Sequence, residues 1–177
     1  NGLPTDIFKP YPKEAVRNTL GIPCEEKVLL FSADNILNRR KGFRYLLEAL
    51  LLLHKENVSE NITLLLLGNG GEQVRELPFT VKALGNLSSP QAMAAAYSAA
   101  DAVVLPSLED NLPNVLIEAQ ACGTPAVAFA VGGIPEIVEH EKNGWLAPAR
   151  DVQALAACLR QALNNSSKYR PYCRTHA

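Results

Sequence analysis

The sequence predicts an α/β fold, a single doubly wound domain around a parallel sheet. Three observations carry this: unbroken apolar runs, stretches of helical apolar spacing between them, and glycine- or proline-rich turns at the junctions. A strand covered by helices on both faces has no polar side, so it reads as a continuous apolar run. Strands that alternate with helices along the whole chain need crossover connections, and these give a parallel sheet.

A Pro-rich lead-in (Pro4, Pro10, Pro12) precedes a short helix expected from Lys13 to Leu20. Lys27 to Ala33, centred on VLLF, reads as the first buried strand. Phe43 to Glu56 then carries Phe43, Leu46, Leu47, Leu50 and Leu53 at helical spacing. Ile62 to Leu67 is the second strand, stopped by Gly68-Asn69-Gly70-Gly71. Val81 to Leu84, Asp101 to Leu105 and Pro125 to Phe129 read as further strands, with helices from Pro90 to Ala99 and Pro113 to Ala121 between them. Gly132-Gly133 precede a short helix from Pro135 to Glu139, and Trp145-Leu146 suggests a last strand. A final helix is expected from Asp151 to Leu163, with Asp151 as its N-cap.

The bulk properties exclude several classes of function. A chain of 177 residues is enough for one well-buried core without disulfide or metal staples. Hydrophobic content of 47%, charged content of 20% and a net charge of -1 fit an ordinary globular protein rather than a disordered tail or a nucleic-acid binder. Cys24, Cys122, Cys158 and Cys173 lie far apart, with no C-x-x-C pair, so neither a disulfide framework nor a metal site is expected. Apolar runs such as Leu50 to Leu53 fall far short of the roughly 20 residues that span a bilayer. The chain opens on Asn1-Gly2 with no initiator methionine, which suggests a piece of a longer protein.

In such sheets ligands bind beyond the carboxyl ends of the strands. The loop after the first strand lacks the G-x-G-x-x-G of a dinucleotide enzyme and carries Arg39-Arg40-Lys41 before Gly42. Arginine and lysine hold diphosphates by charge-assisted hydrogen bonds, although a short basic run also occurs as a plain solvated loop. LPSLEDNLPNVLIEAQACGTPAV, from Leu105 to Val127, is the most informative stretch. Pro113 suits the first turn of a helix, with Asp110 or Asn111 as the cap, and the free amides there attract phosphate. Glu118 lies one turn beyond Asn114 on the same face, and helical side chains lean toward the N-terminus. Its carboxylate could accept from both hydroxyls of a ribose; the bland alternatives are a cap for Asp110 and an exposed helix residue for Glu118. Gly68-Asn69-Gly70-Gly71 and Gly132-Gly133-Ile134-Pro135-Glu136 suit close approach of backbone to a ligand, or simply join strand to helix. His54, His140 and His176 stand singly, and no nucleophile–base arrangement is apparent.

The succession NGLPTDIFKP, VLLFSADNILNRRKGFRYLLEAL, LLLLGNG, LGNL, YSAADAVVLPSLEDNLPNVLIEAQACGTPAVAF and VGGIPEIVEHEKNGWLAP resembles the C-terminal domain of the retaining GT-B glycosyltransferases, the large family that includes sucrose synthases. The resemblance implies that residues 1–177 are a Rossmann-like donor-binding domain, the C-terminal half of a GT-B fold. Residues 1–12 would then be the interdomain hinge, and the N-terminal acceptor domain would be missing. It implies a hexosyl transfer from a nucleoside-diphosphate sugar, with retention of configuration and no metal or other cofactor, and an isolated domain inactive by itself. Lys41 would contact the diphosphate, Glu118 the ribose, and Asp110 the transferred sugar, in place of the family's usual Glu. Ile36 stands where the family commonly has an arginine, so Arg39 or Arg40 becomes the substitute. Gly68 and Gly70 would lie along the donor, Gly85 to Leu87 would line the base, and Leu112, Pro113 and Asn114 would bring main-chain amides to the phosphate or sugar. Further partners implied are an acceptor sugar or lipid-linked sugar in polysaccharide biosynthesis, at a cytoplasmic location with peripheral contact to the inner face of the membrane through the missing half. A sugar-nucleotide epimerase, a phosphorylase and a non-catalytic sugar-nucleotide-binding module are the alternatives weighed against this. A phosphorylase needs a lysine for pyridoxal phosphate, and none lies near the acidic helix.

Overall fold

A computed structural model describes residues 3–56, 61–74 and 77–177. Within them the order is α1 (Lys13–Thr19), β1 (Lys27–Asn35), α2 (Phe43–Lys55), β2 (Ile62–Asn69), β3 (Thr80–Gly85), α3 (Pro90–Ala99), β4 (Ala102–Leu105), α4 (Asn114–Ala121), β5 (Ala126–Phe129), α5 (Ile134–Ile137), β6 (Gly144–Ala147) and α6 (Val152–His176). The six strands form one parallel sheet in the order β3-β2-β1-β4-β5-β6. The first two residues of the expected hinge segment lie outside the described residues.

The alternation along the central strands shows why their runs are unbroken. In β1, Leu29 and Phe31 join one core with α2 and α6, while Val28 and Leu30 join a second core with α3. In β4, Ala102 and Val104 face the first core and Val103 the second. Period-two geometry thus feeds two cores at once, and neither side of the strand can be polar. Trp145 is buried in the first core, edge-on to Tyr169 of α6 at 5.0 Å.

Two expectations need correction. The last helix does not stop at Leu163; it runs to His176, through the exposed Pro171. Its later turns bury Cys173 and part of Tyr169, and arginines add polar anchors. Arg170 donates to the carbonyls of Ser98 and Ala100, and Arg174 to those of Phe8 and Ala121. Cations there complement the negative ends of α3 and α4. Pro113 also lies outside the first turn of α4, at its N-cap. Asp151 caps α6 as expected, accepting from Ala154 N at 2.9 Å.

Candidate functional site

The strand order reverses between β1 and β4, and the loops beyond these two strands close on each other. Asn38 Oδ1 accepts from Arg40 N and so caps a single 3-10 turn, Arg39–Lys41. Gly42 follows with φ of +72°, where a Cβ would come within 1.8 Å of the Pro106 carbonyl oxygen. Only glycine permits that approach. Leu108 N then donates to the Arg40 carbonyl at 2.8 Å and ties the two loops together. The result brings two of the predicted residues into contact: Lys41 Nζ lies 3.0 Å from Asp110 Oδ2, with side chains 31% and 14% exposed.

Asp110 is held from behind as well. A Cβ on Gly132 would lie 1.9 Å from the Asp110 carbonyl oxygen, and one on Gly133 would lie 1.9 Å from that of Asn111. The glycine pair therefore accommodates the backbone that carries Asp110. Neither Asp110 nor Asn111 caps α4, contrary to expectation, because the Asp110 carboxylate has turned to the stronger partner, an ammonium ion. Among the described residues no side chain caps the helix, and the first amide to find a preceding carbonyl is Leu116 N, bonded to Pro113 O at 3.0 Å. The amides of Asn114 and Val115 are left as open donors at the positive end of α4. Pro113 is buried, Asn114 is exposed, and Leu112 is 60% exposed beside them. Ser107, in the same loop, is fully buried, and its Oγ has no hydrogen-bond partner among the described residues.

Glu118 is half-buried one turn further along α4 and does not join the Lys41–Asp110 pair. Its Oε2 accepts from the hydroxyl of Tyr97 at 2.9 Å. Burial pushes its carboxyl above the ordinary carboxylate range, and the Tyr97 hydrogen bond offsets only part of this. Sequence reasoning missed Tyr97. The only available signal was an aromatic residue alone in the alanine-rich run AMAAAYSAA.

The remaining predicted residues spread along the carboxyl edge. Gly68 lies near the end of β2, Gly70 just beyond it, and Gly85 ends β3, and Asn86 Nδ2 donates to Asn69 Oδ1 at 2.9 Å. Gly68 lies tight on the Ala33 carbonyl, Gly85 faces open space, and Leu87 is half-buried against the second core. Arg40 is exposed and engages through its backbone. Arg39 lines a cavity of about 590 Å³ with Arg44, Tyr45, Leu108 and Arg150, and neither Lys41 nor Asp110 is among its lining residues. Among the described residues no group of three His, Cys, Asp or Glu side chains could hold a metal ion, and no helix is long and apolar enough to cross a membrane.

Residues 26–165 match the family model of the glycosyl transferases group 1. The chain belongs to that family. The D-inositol 3-phosphate glycosyltransferase of Saccharomonospora viridis is 34% identical over 172 residues, which take in 89% of this chain and 39% of that protein. Among solved structures, the sucrose-phosphate synthase of Thermosynechococcus elongatus superposes with a TM-score of 0.82 at 29% identity, over 99% of this chain and 45% of that one. The HepE protein of Anabaena in complex with UDP-glucose gives 0.80 at 25% identity, over 98% and 49%. The chain thus spans less than half the length of these relatives, and its six-stranded domain is the C-terminal, Rossmann-like half of the GT-B glycosyltransferases.

Proposed function

We propose that this group 1 glycosyl transferase domain binds a nucleoside-diphosphate sugar at the carboxyl edge of its sheet. Joined to an N-terminal acceptor domain, it would transfer the glycosyl unit with retention of configuration. The observation that carries the reading is the grouping of Lys41, Asp110 and the open Asn114 and Val115 amides where β1 and β4 meet. Lys41 releases Asp110 to neutralise the diphosphate, and the α4 amides take the remaining charge. Such preorganised donors stabilise a leaving diphosphate without a metal ion. Asp110, freed from Lys41, is then placed to accept from hydroxyls of the transferred sugar, and Glu118 accepts from the ribose. Family membership favours this over an epimerase or a non-catalytic module. HepE, whose structure holds UDP-glucose, makes that compound the first probe.

The acceptor, a sugar or lipid-linked sugar, would dock on the other half, at the cytoplasmic face of the membrane. Transfer requires groups from both walls of the cleft, so the 177-residue chain alone should bind donor without transferring it. Calorimetric titration with UDP-, GDP- and ADP-sugars tests the reading. Saturable binding of one of them, weakened in Lys41→Ala, is expected; no binding of any by the folded chain would overturn it.

A further inference from the structure

Tyr97 occupies the last turn of α3 and is fully buried, with 0% exposure. Contacts on three sides help to fix it, besides a side-chain hydrogen bond with Ser32. Its ring centroid lies 6.5 Å from that of Phe8, its carbonyl accepts from Thr124 Oγ1 at 2.7 Å, and its hydroxyl donates to Glu118 Oε2 at 2.9 Å. A phenol has one proton to donate, and here it goes to one oxygen of a half-buried carboxylate. Since the ring is inside the protein, Oε2 is turned inward, and Oε1, which has no protein partner among the described residues, is left as the outward acceptor.

We infer that Tyr97 is a positioning residue for the donor site: it pins Glu118 so that a single oxygen, Oε1, meets the ribose, and the site reads one ribose hydroxyl more strongly than the other. This rests on the reading of Glu118 as the ribose acceptor. A freely rotating carboxylate chelates vicinal hydroxyls with one oxygen each, and the two then contribute alike. A carboxylate held by one oxygen offers its best lone-pair direction to one hydroxyl, and the second can reach only a poorer angle on the same atom. The hydroxyl of Tyr97 also helps to keep Glu118 ionised against the burial that favours its neutral form.

The test compares UDP, 2′-deoxy-UDP and 3′-deoxy-UDP by calorimetry on the parent chain, Tyr97→Phe, Glu118→Gln and the double variant, with a pH series. On the parent chain one deoxy analogue should lose at least about fivefold more affinity than the other. Equal losses would overturn the inference without any variant. Tyr97→Phe keeps the ring and removes the donor. UDP affinity should fall about three- to tenfold, the two analogues should converge, and the pH at which binding is lost on acidification should rise. In the Glu118→Gln background, Tyr97→Phe should have no further effect. A folded Tyr97→Phe with unchanged affinity, unchanged discrimination and unchanged acid midpoint would assign Tyr97 to packing alone. If Glu118→Gln itself leaves UDP binding intact, the ribose reading fails, and the role of Tyr97 fails with it.

Discussion

The two ends of the sheet each carry a lysine–aspartate pair, and the pairs are built differently. At the amino end, Asp101 precedes β4 and is buried, with its Oδ2 accepting from Val28 N at 2.7 Å and from Arg17 at 3.0 Å, while Lys13 takes Oδ1. Arg17, only 4% exposed, also donates to the carbonyls of Ala99, Cys24 and Glu26. Arg17 thus makes four hydrogen bonds, and both Asp101 oxygens are taken. At the carboxyl end, Lys41 and Asp110 share one contact, next to two open amides and an orphaned hydroxyl. Buried charge whose hydrogen bonds are all made holds a fold together, whereas charge and donors left under-satisfied at a loop junction are available to a ligand.

The largest effect should come from the saturated end. Asp101→Ala strands the buried Arg17 guanidinium and the Val28 amide, so unfolding free energy should fall by about 3–5 kcal/mol. Donor affinity, measured where the variant is still folded, should not change. Burial alone would raise the Asp101 carboxyl, but Lys13, the Val28 amide and Arg17 outweigh it and hold it below its usual range. A depressed carboxyl contributes stability that is complete above its unfolded value of ~3.9 and is lost as pH falls through the folded value. Acid titration of the melting temperature should therefore be steeper below pH ~4 in the parent than in Asp101→Ala. Equal slopes would show that the cluster contributes nothing specific to the fold.

Glu118→Gln should behave in the opposite way. Nucleotide binding should weaken by about 1.5–3 kcal/mol, the range for hydrogen bonds to a charged group. A raised carboxyl contributes stability below its unfolded value and loses it as pH rises through the folded value, so at neutral pH the ionised group is a small burden on the fold. The neutral amide should leave stability unchanged or slightly higher. A melting temperature that drops together with the affinity would place Glu118 with Asp101, among the residues that hold the fold.

The same contrast governs what could be read from the sequence. Strand and helix positions were legible because burial on both faces leaves unbroken apolar runs, and the Arg39-Arg40-Lys41 loop was legible because it follows such a run. The last turns of α6 were not, because Asn164, Asn165 and Ser167 carry no apolar period. The acceptors of Arg170 and Arg174 are carbonyls that converge only after α3 and α4 are in place. Asp110 looked like a cap because capping is a local rule, and a lysine distant in sequence overrode it. The sequence marked Glu118 but gave no sign that a phenol on another helix would take one of its oxygens.

Lys41→Ala tests the loosely built end with a smaller expected effect. The ammonium is partly exposed, so its loss should weaken donor binding by about 1 kcal/mol at low salt, and the deficit should shrink as ionic strength rises. Stability should stay within about 0.5 kcal/mol of the parent. A salt-independent loss would mean that Lys41 shapes the loop rather than meeting the diphosphate.

Ser107→Ala is the mildest change and the most discriminating one. A buried hydroxyl without a partner among the described residues costs about 1–3 kcal/mol, and replacing it by a methyl group removes that cost while leaving only a small void. The variant should be as stable as the parent or more so by up to about 1 kcal/mol, the reverse of what removing a hydrogen-bonded serine does. The loop that holds Ser107 also carries Asp110 and leads into the open amides of α4. A hydroxyl kept there without a partner is expected to find one when the donor is bound. Donor affinity should accordingly fall two- to fivefold in Ser107→Ala, equivalent to about 0.4–1 kcal/mol and in line with one neutral hydrogen bond. If the variant instead loses stability while binding the donor as well as the parent does, Ser107 belongs with the saturated network at the other end of the sheet.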